Sequence, residues 1–346
     1  MLIEPLCVAS VVVALAAVLT YRFSHPASRW YILDVPNARS LHDHAKSRAG
    51  GIAILTAIFA GSVYMVLRRN AVDAPLIQLY IGLLAIAAIG YWDDCHSLAP
   101  LPRLVLQGVI AAALVASGHL LTMLQLPGLL LQLPEPLGVI ITWLFVLWMI
   151  NLYNFMDGMD GLAGGMAVIG FGTFALFGYN THHELFFALN LIIANAALGF
   201  LIFNFPPARI FMGDAGAYSL GFLAAIFTLW GVTNGVFQFW VALLIFSPFI
   251  SDATFTLLLR AWNRQRVWEA HREHMYQRVI LAGIKKRNVL AIAYGLMLGC
   301  AITSVSIVNL APDWQWLAIG LWLAAYSALF ALVVFAERRA KQAQPA

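Results

Sequence analysis

Five aspartates fall in three short segments of the chain, and their spacing favours the binding of a divalent cation. Asp93 and Asp94 are adjacent, Asp157 and Asp160 are three positions apart, and Asp214 follows further along. Adjacent carboxylates repel each other unless a cation lies near, and Mg²⁺ is commonly held by one or two carboxylates together with substrate phosphates and water. The pattern therefore predicts a magnesium site, which explains the acids better than helix ends alone would.

Polar and aromatic residues beside these acids extend the predicted site toward an organic ligand. Asn151 and Asn154 precede the two Asp-Gly pairs within NLYNFMDGMDGLAGG, and the glycines of such pairs permit close approach of the backbone to a ligand. Phe211 and Gly213 precede Asp214, so an aromatic face lies one turn from a carboxylate. A base or a sugar could stack on this ring, although Phe211 taken alone is explained more simply by packing.

Two basic segments could contact a phosphate. His271, Arg272 and His274 form the start of HREHMYQR, and all three can donate hydrogen bonds to phosphate oxygens. Arg48 precedes the pair Gly50-Gly51, whose backbone N–H groups could meet an anion at the start of a helix. Attraction of juxtamembrane basic residues to anionic lipid is the alternative, and the sequence leaves both open. The segment before Arg48 also contains Arg39, His42, His44 and Lys46.

Composition decides which class of protein positions these residues. Of the 346 residues, 62% are hydrophobic and only 10% are charged, and the mean hydropathy is +0.83. Soluble proteins are about 45–50% apolar and about 25% charged, so a soluble enzyme, a disordered chain and a disulfide-stapled domain are excluded. The three cysteines lie far apart and indicate neither a metal site nor a disulfide framework. The chain is predicted to be an all-α polytopic integral membrane protein with a single transmembrane domain over residues 1–346.

Charge-free runs predict about eleven transmembrane helices. A spanning helix needs roughly 20 mostly apolar residues, and the long run 215–251 is divided into two helices by the turn-like stretch 231–235. A periplasmic N-terminus and a cytoplasmic C-terminus place 18 of the 20 basic residues inside, all but Arg68 and Arg69, as the positive-inside rule favours. The inside segments are then about 22–48, 92–103, 151–161, 204–214, 252–287 and 337–346.

This topology gathers the acidic and basic segments on the cytoplasmic face of the membrane. Phosphoryl transfer depends mainly on positioning and charge stabilisation, so these residues would suit one phosphorylated substrate from the cytosol and another from the lipid. A membrane transporter is a rival class, but carriers place ionisable groups near the bilayer midplane, and the runs here are almost free of charge. A non-catalytic assembly protein would leave the carboxylates unexplained.

Several motifs, in order, make the chain resemble the polyprenyl-phosphate N-acetylhexosamine-1-phosphate transferases of glycosyltransferase family 4. That family includes the phospho-MurNAc-pentapeptide translocase of peptidoglycan synthesis and the GlcNAc-1-phosphate transferases that start O-antigen and related glycans. The strings NxxNxxDGxDG and FMGDxG carry most of the specificity. The matching segments are AGGIAI at 49–54, YWDD at 91–94, NLYNFMDGMDGLAGG at 151–165, FNFPPARIFMGDAGAYSLG at 203–221 and HREHMYQR at 271–278.

The resemblance implies a role for each candidate residue. Asp214 is implied as the Mg²⁺ ligand, with Asp94 as a second candidate ligand and Mn²⁺ as the alternative ion. Asp93 and Asp94 match an Asp-Asp motif in which one carboxylate positions or deprotonates a lipid phosphate. Catalytic roles are also implied for Asp157, Asp160, His271, Arg272 and His274. Contacts with nucleotide or substrate are implied for Asn151, Asn154, Asn204, Phe211, Gly213 and Arg48.

The chain departs from the family's pattern at three places, and these departures help to indicate which branch of the family it resembles. The histidine motif reads HREH where the pentapeptide translocase has three histidines. The Asp-Asp motif continues DDCHSLAPLPRL without the Lys that often follows it, and KSRAGG lacks the Pro that often precedes the Gly pair. The histidine motif favours the branch that initiates O-antigen or other surface glycans, leaves the sugar open, and keeps the pentapeptide translocase as the enzymatic alternative.

The implied reaction transfers N-acetylhexosamine-1-phosphate from a UDP-sugar to undecaprenyl phosphate, with release of UMP. The implied partners are UDP-N-acetylhexosamine, undecaprenyl phosphate and the lipid bilayer, with no nucleic acid; a homodimer is left open. The implied location is the inner membrane of a bacterium, with the active site on the cytoplasmic face. The first helix is expected to be retained, because Glu4 precedes it and no basic n-region or cleavage site is evident.

Overall fold

The computed structural model describes residues 2–34, 45–267 and 271–343. The predicted basic positions Arg39, His42 and His44 lie outside these residues. Within them the fold is a helical assembly with two small antiparallel hairpins, β1 (Leu33–Asp34) with β2 (Lys46–Ser47) and β3 (Met123–Leu126) with β4 (Leu129–Gln132). The helices are α1 (Ile3–Phe23), α2 (Gly50–Arg68), α3 (Ala74–His96), α4 (Pro100–Ala116), α5 (Glu135–Met156), α6 (Leu162–Asn180), α7 (Glu184–Asn204), α8 (Gly213–Thr233), α9 (Phe239–Ile245), α10 (Ser247–Trp262), α11 (Met275–Leu281), α12 (Lys286–Ile307) and α13 (Pro312–Ala343).

Nine helices in the described part of the chain are long and apolar enough to cross a membrane, which confirms a polytopic helical protein. The pair α9 and α10 adds a tenth if it is one span, although it bends by 80° at Phe246, just before Pro248. Helix α4 is apolar but has only 17 residues. The predicted break in the run 215–251 is confirmed, because α8 ends at Thr233 and α9 begins at Phe239. The count of eleven and the sidedness of the termini stay predictions.

Helix α8 is the centre around which the site is built. Of the residues in its apolar stretch, 94% are buried inside the protein, whereas only 6% are buried in the apolar stretch of α13. Helix α8 packs against α3 and α5. Glycines allow the close approach, since a Cβ at Gly90 of α3 would lie 2.5 Å from the Cα of Ala215. A Cβ at Gly51 of α2 would overlap the backbone of Gly216. Small residues at helix contacts are typical of membrane bundles, and here they bring three helix ends together.

The predicted inner loops are shorter than the charge pattern indicates. Helix α3 continues to His96 and α5 to Met156, so Asp93, Asp94 and Asn154 lie in last helical turns rather than in loops. The boundaries 92–103 and 151–161 were therefore wrong by several residues. A charged side chain marks the end of an apolar run, whereas a helix ends where its backbone hydrogen bonds stop. Helix α3 ends at Ser97, whose φ of 50° is not helical.

The hairpin of β3 and β4 is a structural feature that the charge pattern did not predict. It lies inside the charge-free run 104–134, whose leucines resemble those of a spanning helix. Pro127 and Gly128 form its two-residue turn, with Gly128 at φ +68°. Proline favours turns because its ring fixes φ, and glycine favours them because it adopts positive φ without strain. Pro127 and Gly128 are therefore the residues from which the hairpin turn could have been predicted.

Candidate active site

A cavity of about 230 Å³ lies where the ends of α3, α5 and α7 meet the starts of α2, α8 and α12. It collects residues from segments that are far apart in the sequence. Several of the predicted residues line it together. The lining consists of Asp34, Arg48, Asp94, Asn154, Asp157, Gly158, Met159, Asp160, Asn204, Phe211, Gly213, Asp214, Gln277 and Lys286.

Asp94 joins the end of α3 to the start of α8. Its carboxylate accepts hydrogen bonds from the backbone N–H groups of Asp214 (2.9 Å) and Ala215 (3.0 Å). Arg48 Nη1 lies 3.7 Å from the same carboxylate. Gly213 has φ +76°, and a Cβ there would lie 2.8 Å from Asp94 Oδ2. Glycine is therefore required at 213 both for its backbone angle and for this contact.

Asp93 lies behind the cavity and does not line it. Its carboxylate accepts hydrogen bonds from the Leu98 N–H (2.7 Å), Arg103 Nη1 (3.2 Å) and the Tyr218 hydroxyl (2.7 Å). The residue is only 4% exposed. A buried carboxylate with three donors is well satisfied, so this geometry suits a group that holds α3 and α8 in place.

Asp157 and Asp160 enter the cavity from the turn between α5 and α6. Burial, and then the nearby carboxylates of Asp214 and Asp94, raise the pKa of Asp157 well above its usual range. Asp160 Oδ2 accepts the backbone N–H of Ala208 at 3.0 Å, which ties the turn to the segment after α7. Both residues of the predicted pair therefore line the cavity. Asp157 lies near the carboxylates of Asp94 and Asp214, whereas one oxygen of Asp160 holds the backbone at Ala208.

Asn204 is predicted to contact the nucleotide, and it lines the cavity. Its Oδ1 accepts the Gly161 N–H at 2.8 Å, and its Nδ2 donates to the carbonyl oxygen of Ile210 at 2.9 Å. Gly161 has φ +80°, an angle that favours glycine, so the amide fixes this left-handed turn on one side and the loop before Phe211 on the other. The amide oxygen and nitrogen of Asn204 therefore both hold backbone segments that form the cavity.

Phe211 lines the cavity, and Lys46 Nζ lies 5.0 Å from the centroid of its ring. The backbone around it is paired, because Gly50 N–H donates to the Phe211 carbonyl (3.0 Å) and Gly51 N–H donates to the Met212 carbonyl (2.7 Å). These two amides are therefore engaged within the protein. The expectation that the Gly-Gly pair meets a phosphate through its N–H groups is wrong for this structure.

The structure does not bring Asn151 into the cavity. Its Nδ2 donates to Gln107 Oε1 on α4 and to the Leu147 carbonyl, both at 2.8 Å. The next residue of the motif, Asn154, does line the cavity. The three-residue spacing separates the two amides because each step of three residues along an α-helix falls short of a full turn.

His271, Arg272 and His274 also lie outside the cavity lining. The backbone N–H groups of Met275 and Tyr276 donate to Asp252 on α10, and His274 Nδ1 lies 3.3 Å from the same carboxylate. Burial, followed by the proximity of His274 and Arg260, lowers the pKa of His271 to about 4. His271 is therefore neutral at pH 7, and the catalytic roles predicted for the three residues stay predictions.

Sequence reasoning missed three charged or polar lining residues. They are Asp34 on β1, Gln277 on α11 and Lys286 at the start of α12. Gln277 belongs to the predicted HREHMYQR segment, and Lys286 begins the run of basic residues before the next charge-free stretch. Gln277 was not singled out within its segment, and Lys286 was only counted among the basic residues of the predicted inside segments, because the sequence alone does not show which side chain turns inward.

The charges of the lining fit a divalent cation. Five carboxylates face two cationic side chains, Arg48 and Lys286, among the described residues. The carboxylates of Asp157 and Asp214 form no hydrogen bond or ion pair within that part of the chain, so their oxygens remain open to a ligand. No three His, Cys, Asp or Glu side chains there are grouped closely enough to hold a metal unaided. This fits Mg²⁺, which commonly completes its shell with substrate phosphates and water.

Comparison with known proteins identifies relatives with related activities. The family model described as glycosyl transferase family 4 matches residues 76–232. The chain is 30% identical over 314 residues to the probable undecaprenyl-phosphate N-acetylglucosaminyl 1-phosphate transferase of Bacillus subtilis, covering 88% of this chain and 82% of that protein. It is 27% identical over 312 residues to the decaprenyl-phosphate N-acetylglucosaminephosphotransferase of Mycobacterium tuberculosis, covering 81% and 77%. It is 32% identical over 184 residues to the phospho-N-acetylmuramoyl-pentapeptide-transferase of Bacillus velezensis, covering 50% and 57%.

Proposed function

The chain belongs to glycosyl transferase family 4, and on that premise we propose that it transfers N-acetylhexosamine-1-phosphate from a UDP-sugar to undecaprenyl phosphate. UMP is released, and a lipid diphosphate sugar is formed. The product would initiate O-antigen or another cell-surface glycan. The reaction would take place on the cytoplasmic face of a bacterial inner membrane.

One observation carries the proposal. Asp94, Asp157 and Asp214, from three separate segments, meet in a single cavity beside the ring of Phe211. A nucleotide sugar offers a planar base and a diphosphate, which call for an aromatic face and for compensated negative charge. The cavity also lies at helix ends, where a chain anchored in lipid can bring its phosphate to a water-soluble donor. The relatives from Bacillus subtilis and Mycobacterium tuberculosis are named as a probable undecaprenyl-phosphate N-acetylglucosaminyl 1-phosphate transferase and a decaprenyl-phosphate N-acetylglucosaminephosphotransferase.

The proposed reaction is a substitution at the β-phosphorus of the UDP-sugar. An oxygen of the lipid phosphate forms a bond to that phosphorus, and the bond from the phosphorus to the oxygen bridging the two phosphates breaks. The bridging oxygen keeps the electron pair and leaves as part of UMP. A phosphate monoester has a second pKa of about 6, so the attacking oxygen is already largely ionised near pH 7. A general base is therefore unnecessary, and the aspartates orient groups and balance charge.

The cavity residues divide this work. Phe211 provides the face for the uracil base, and Asn204 holds the loop that carries Phe211. Asp214 and Asp157 would hold Mg²⁺, with Asp94 next to Asp214 as a further candidate ligand. The bound ion would neutralise charge on the diphosphate and on the departing UMP. Arg48 lies beside Asp94 and Asp34 and maintains the position of that wall.

The decisive experiment measures UMP release by the purified protein in detergent. Undecaprenyl phosphate, Mg²⁺ and a panel of UDP-N-acetylhexosamines would be supplied, with UDP-MurNAc-pentapeptide as a separate donor. We expect release that requires both the lipid and Mg²⁺, and the responding sugar identifies the branch of the family. Release only from UDP-MurNAc-pentapeptide would replace the proposed donor by that of peptidoglycan synthesis. Folded protein that releases no UMP from any donor would refute the proposal.

A further inference from the structure

Three polar residues form a buried stripe along α10. Asp252, Thr256 and Arg260 are four positions apart, so they lie on one face of the helix. Their exposed fractions are 7%, 1% and 6%, whereas Leu258 and Trp262 on the other faces are exposed. Ionisable side chains in an apolar helix are costly, and they face the interior of the protein, where they pair with other groups. The partners of this stripe therefore indicate its role.

The stripe holds the segment that contains the short helix α11. The two carboxylate oxygens of Asp252 accept the backbone N–H groups of Met275 at 2.9 Å and Tyr276 at 3.1 Å. One turn further along the stripe from Thr256, Arg260 forms an ion pair with Glu273 at 2.8 Å. Helix α11 has only seven residues, and isolated helices shorter than about 12 residues are marginal even in favourable sequences. Its position therefore depends on contacts such as these.

Helix α11 also contacts the turn that carries Asp157. The Tyr276 hydroxyl donates to the carbonyl oxygen of Phe155 at 3.2 Å, in the last turn of α5. A Cβ at Gly158 would overlap the same hydroxyl, so helix and turn are in direct contact. Gln277, the next residue of α11, lines the cavity together with Asp157. Helix α11 thus connects α10 to the acidic turn.

Asp252 does not itself line the cavity, so it can affect the reaction only through the groups that it holds. A misplacement of about 1 Å caused by a distant mutation can cost about 100-fold in rate. We propose that Asp252 is a positioning residue of the active site, which holds α11 against the acidic turn and thereby keeps Asp157 and Gln277 in place. This assignment rests on the proposed function. It adds a residue outside the segment 76–232 that the family model matches.

Three variants of the full-length protein test the assignment. Asp252→Asn keeps the size of the side chain but replaces one acceptor oxygen by an amide NH₂ group, which cannot accept a backbone N–H. Thr256→Val is the matched control. The Thr256 hydroxyl donates to Asp252 Oδ1 at 3.3 Å, so its removal weakens the same buried cluster while both bonds to α11 remain. Tyr276→Phe breaks the bond to Phe155 and leaves Asp252 in place.

Hydrogen–deuterium exchange of the purified protein without substrate or metal measures whether Asp252 holds α11. Local opening of a segment speeds the exchange of its amides. We expect Asp252→Asn to speed exchange by about tenfold or more in α11 and in the turn 157–161, the scale of one lost hydrogen bond to a charged group. Tyr276→Phe should speed exchange in the turn. Thr256→Val should leave both segments like wild type.

UMP release measures whether this anchoring matters for the reaction. We expect Asp252→Asn to lower kcat/KM for the UDP-sugar by about tenfold or more. The Mg²⁺ concentration that gives half the maximal rate should rise by about threefold or more, less than the loss of about tenfold typical for a direct partner of a metal ligand. A smaller amount of folded protein would lower the rate but leave that concentration unchanged. Thr256→Val should therefore keep the wild-type value even if its unfolding temperature falls.

The double variant of Asp252→Asn with Tyr276→Phe tests the route of the effect. Because both changes act through α11, the combined loss in kcat/KM should be smaller than the product of the two single losses. Losses that multiply would show that Asp252 does not act through the contact of α11 with the turn, and would refute the assignment.

Other results would also overturn it. Unchanged exchange in folded Asp252→Asn would show that Asp252 does not hold α11. Faster exchange with wild-type kcat/KM and Mg²⁺ requirement, or equal changes in Thr256→Val, would make Asp252 a structural residue only. If Asp252→Asn does not fold, Asp252→Glu shifts α11 by its extra methylene and is judged by the same measurements. Wild-type protein that releases no UMP would remove the proposed function, whereas exchange in that protein still decides whether Asp252 holds α11.

Discussion

The carboxylate of Asp94 accepts the backbone N–H of Asp214 at 2.9 Å, so one acid of the cavity caps the helix whose first turn contains the other. The partial positive charge at the start of α8 stabilises a nearby anion, which offsets part of the repulsion between the two carboxylates. The hydrogen bond also fixes the distance between α3 and α8 at the cavity. Any change at Asp94 therefore disturbs the backbone of Asp214, and cleaner tests of function lie at the surrounding positions.

The position of Asp93 predicts a supporting role that Tyr218→Phe tests. Loss of the 2.7 Å hydrogen bond from the Tyr218 hydroxyl should lower the free energy of unfolding by about 1–3 kcal/mol, because Asp93 is buried. Turnover should fall less than about tenfold, with the KM for the UDP-sugar unchanged, since neither side chain lines the cavity. Thermal unfolding and UMP release measure the two effects, with exposed Tyr64→Phe as the control. A loss of turnover of about 100-fold, the scale expected for removal of a metal ligand, would contradict the supporting role.

Gly158 should tolerate no side chain, because α11 packs directly on the turn that carries Asp157. A Cβ at Gly158 would overlap the Tyr276 hydroxyl and lie 3.3 Å from Gln277 Nε2. We expect Gly158→Ala to reduce UMP release by about tenfold or more, because α11 or the acidic turn must move. The matched control is Gly172→Ala on α6, where a Cβ would meet nothing within 4 Å. Adding Tyr276→Phe removes the clashing oxygen and should restore part of the activity; no restoration would locate the clash elsewhere.

Much of the site could be predicted from the sequence because its acids lie near the ends of charge-free runs, and such runs locate helix ends to within several residues. The turn-like stretch 231–235 predicted the break between α8 and α9. The charge pattern could not separate residues that face the cavity from those that support it. Asp93 and Asn151 have the same residue types as Asp94 and Asn154, and only the rotation of α3 and α5 directs one of each pair to the cavity. Lys286 was indistinguishable from its exposed neighbours for the same reason.

The environment of His271 predicts that it stays neutral throughout the physiological range. Burial and the nearby His274 and Arg260 lower its pKa to about 4 from an unfolded value of 6.5. The unfolded chain therefore binds the proton more readily, so stability from this residue is full above pH 6.5 and decreases as the pH falls toward 4. NMR titration of histidine-labelled protein should show no protonation of His271 between pH 5 and 8. His271→Gln should lose less stability than wild type between pH 7 and 5, and a pKa of 6 or above would contradict the prediction.

Asp214 is the residue whose charge the proposed reaction needs most, and Asp214→Asn removes that charge while keeping the size of the side chain. We expect UMP release to fall by at least about 100-fold, because a neutral amide is a poor ligand for Mg²⁺. In wild type, Mg²⁺ with UDP-N-acetylglucosamine should raise the thermal unfolding temperature, as ligands of the native state do, and the variant should lose that increase. Asp313→Asn, at an exposed position in the first turn of α13, is the control and should behave like wild type. Near-normal turnover in Asp214→Asn would refute the metal assignment, whereas lost turnover with the Mg²⁺-dependent stabilisation retained would show that Asp214 acts on the substrate rather than on the ion.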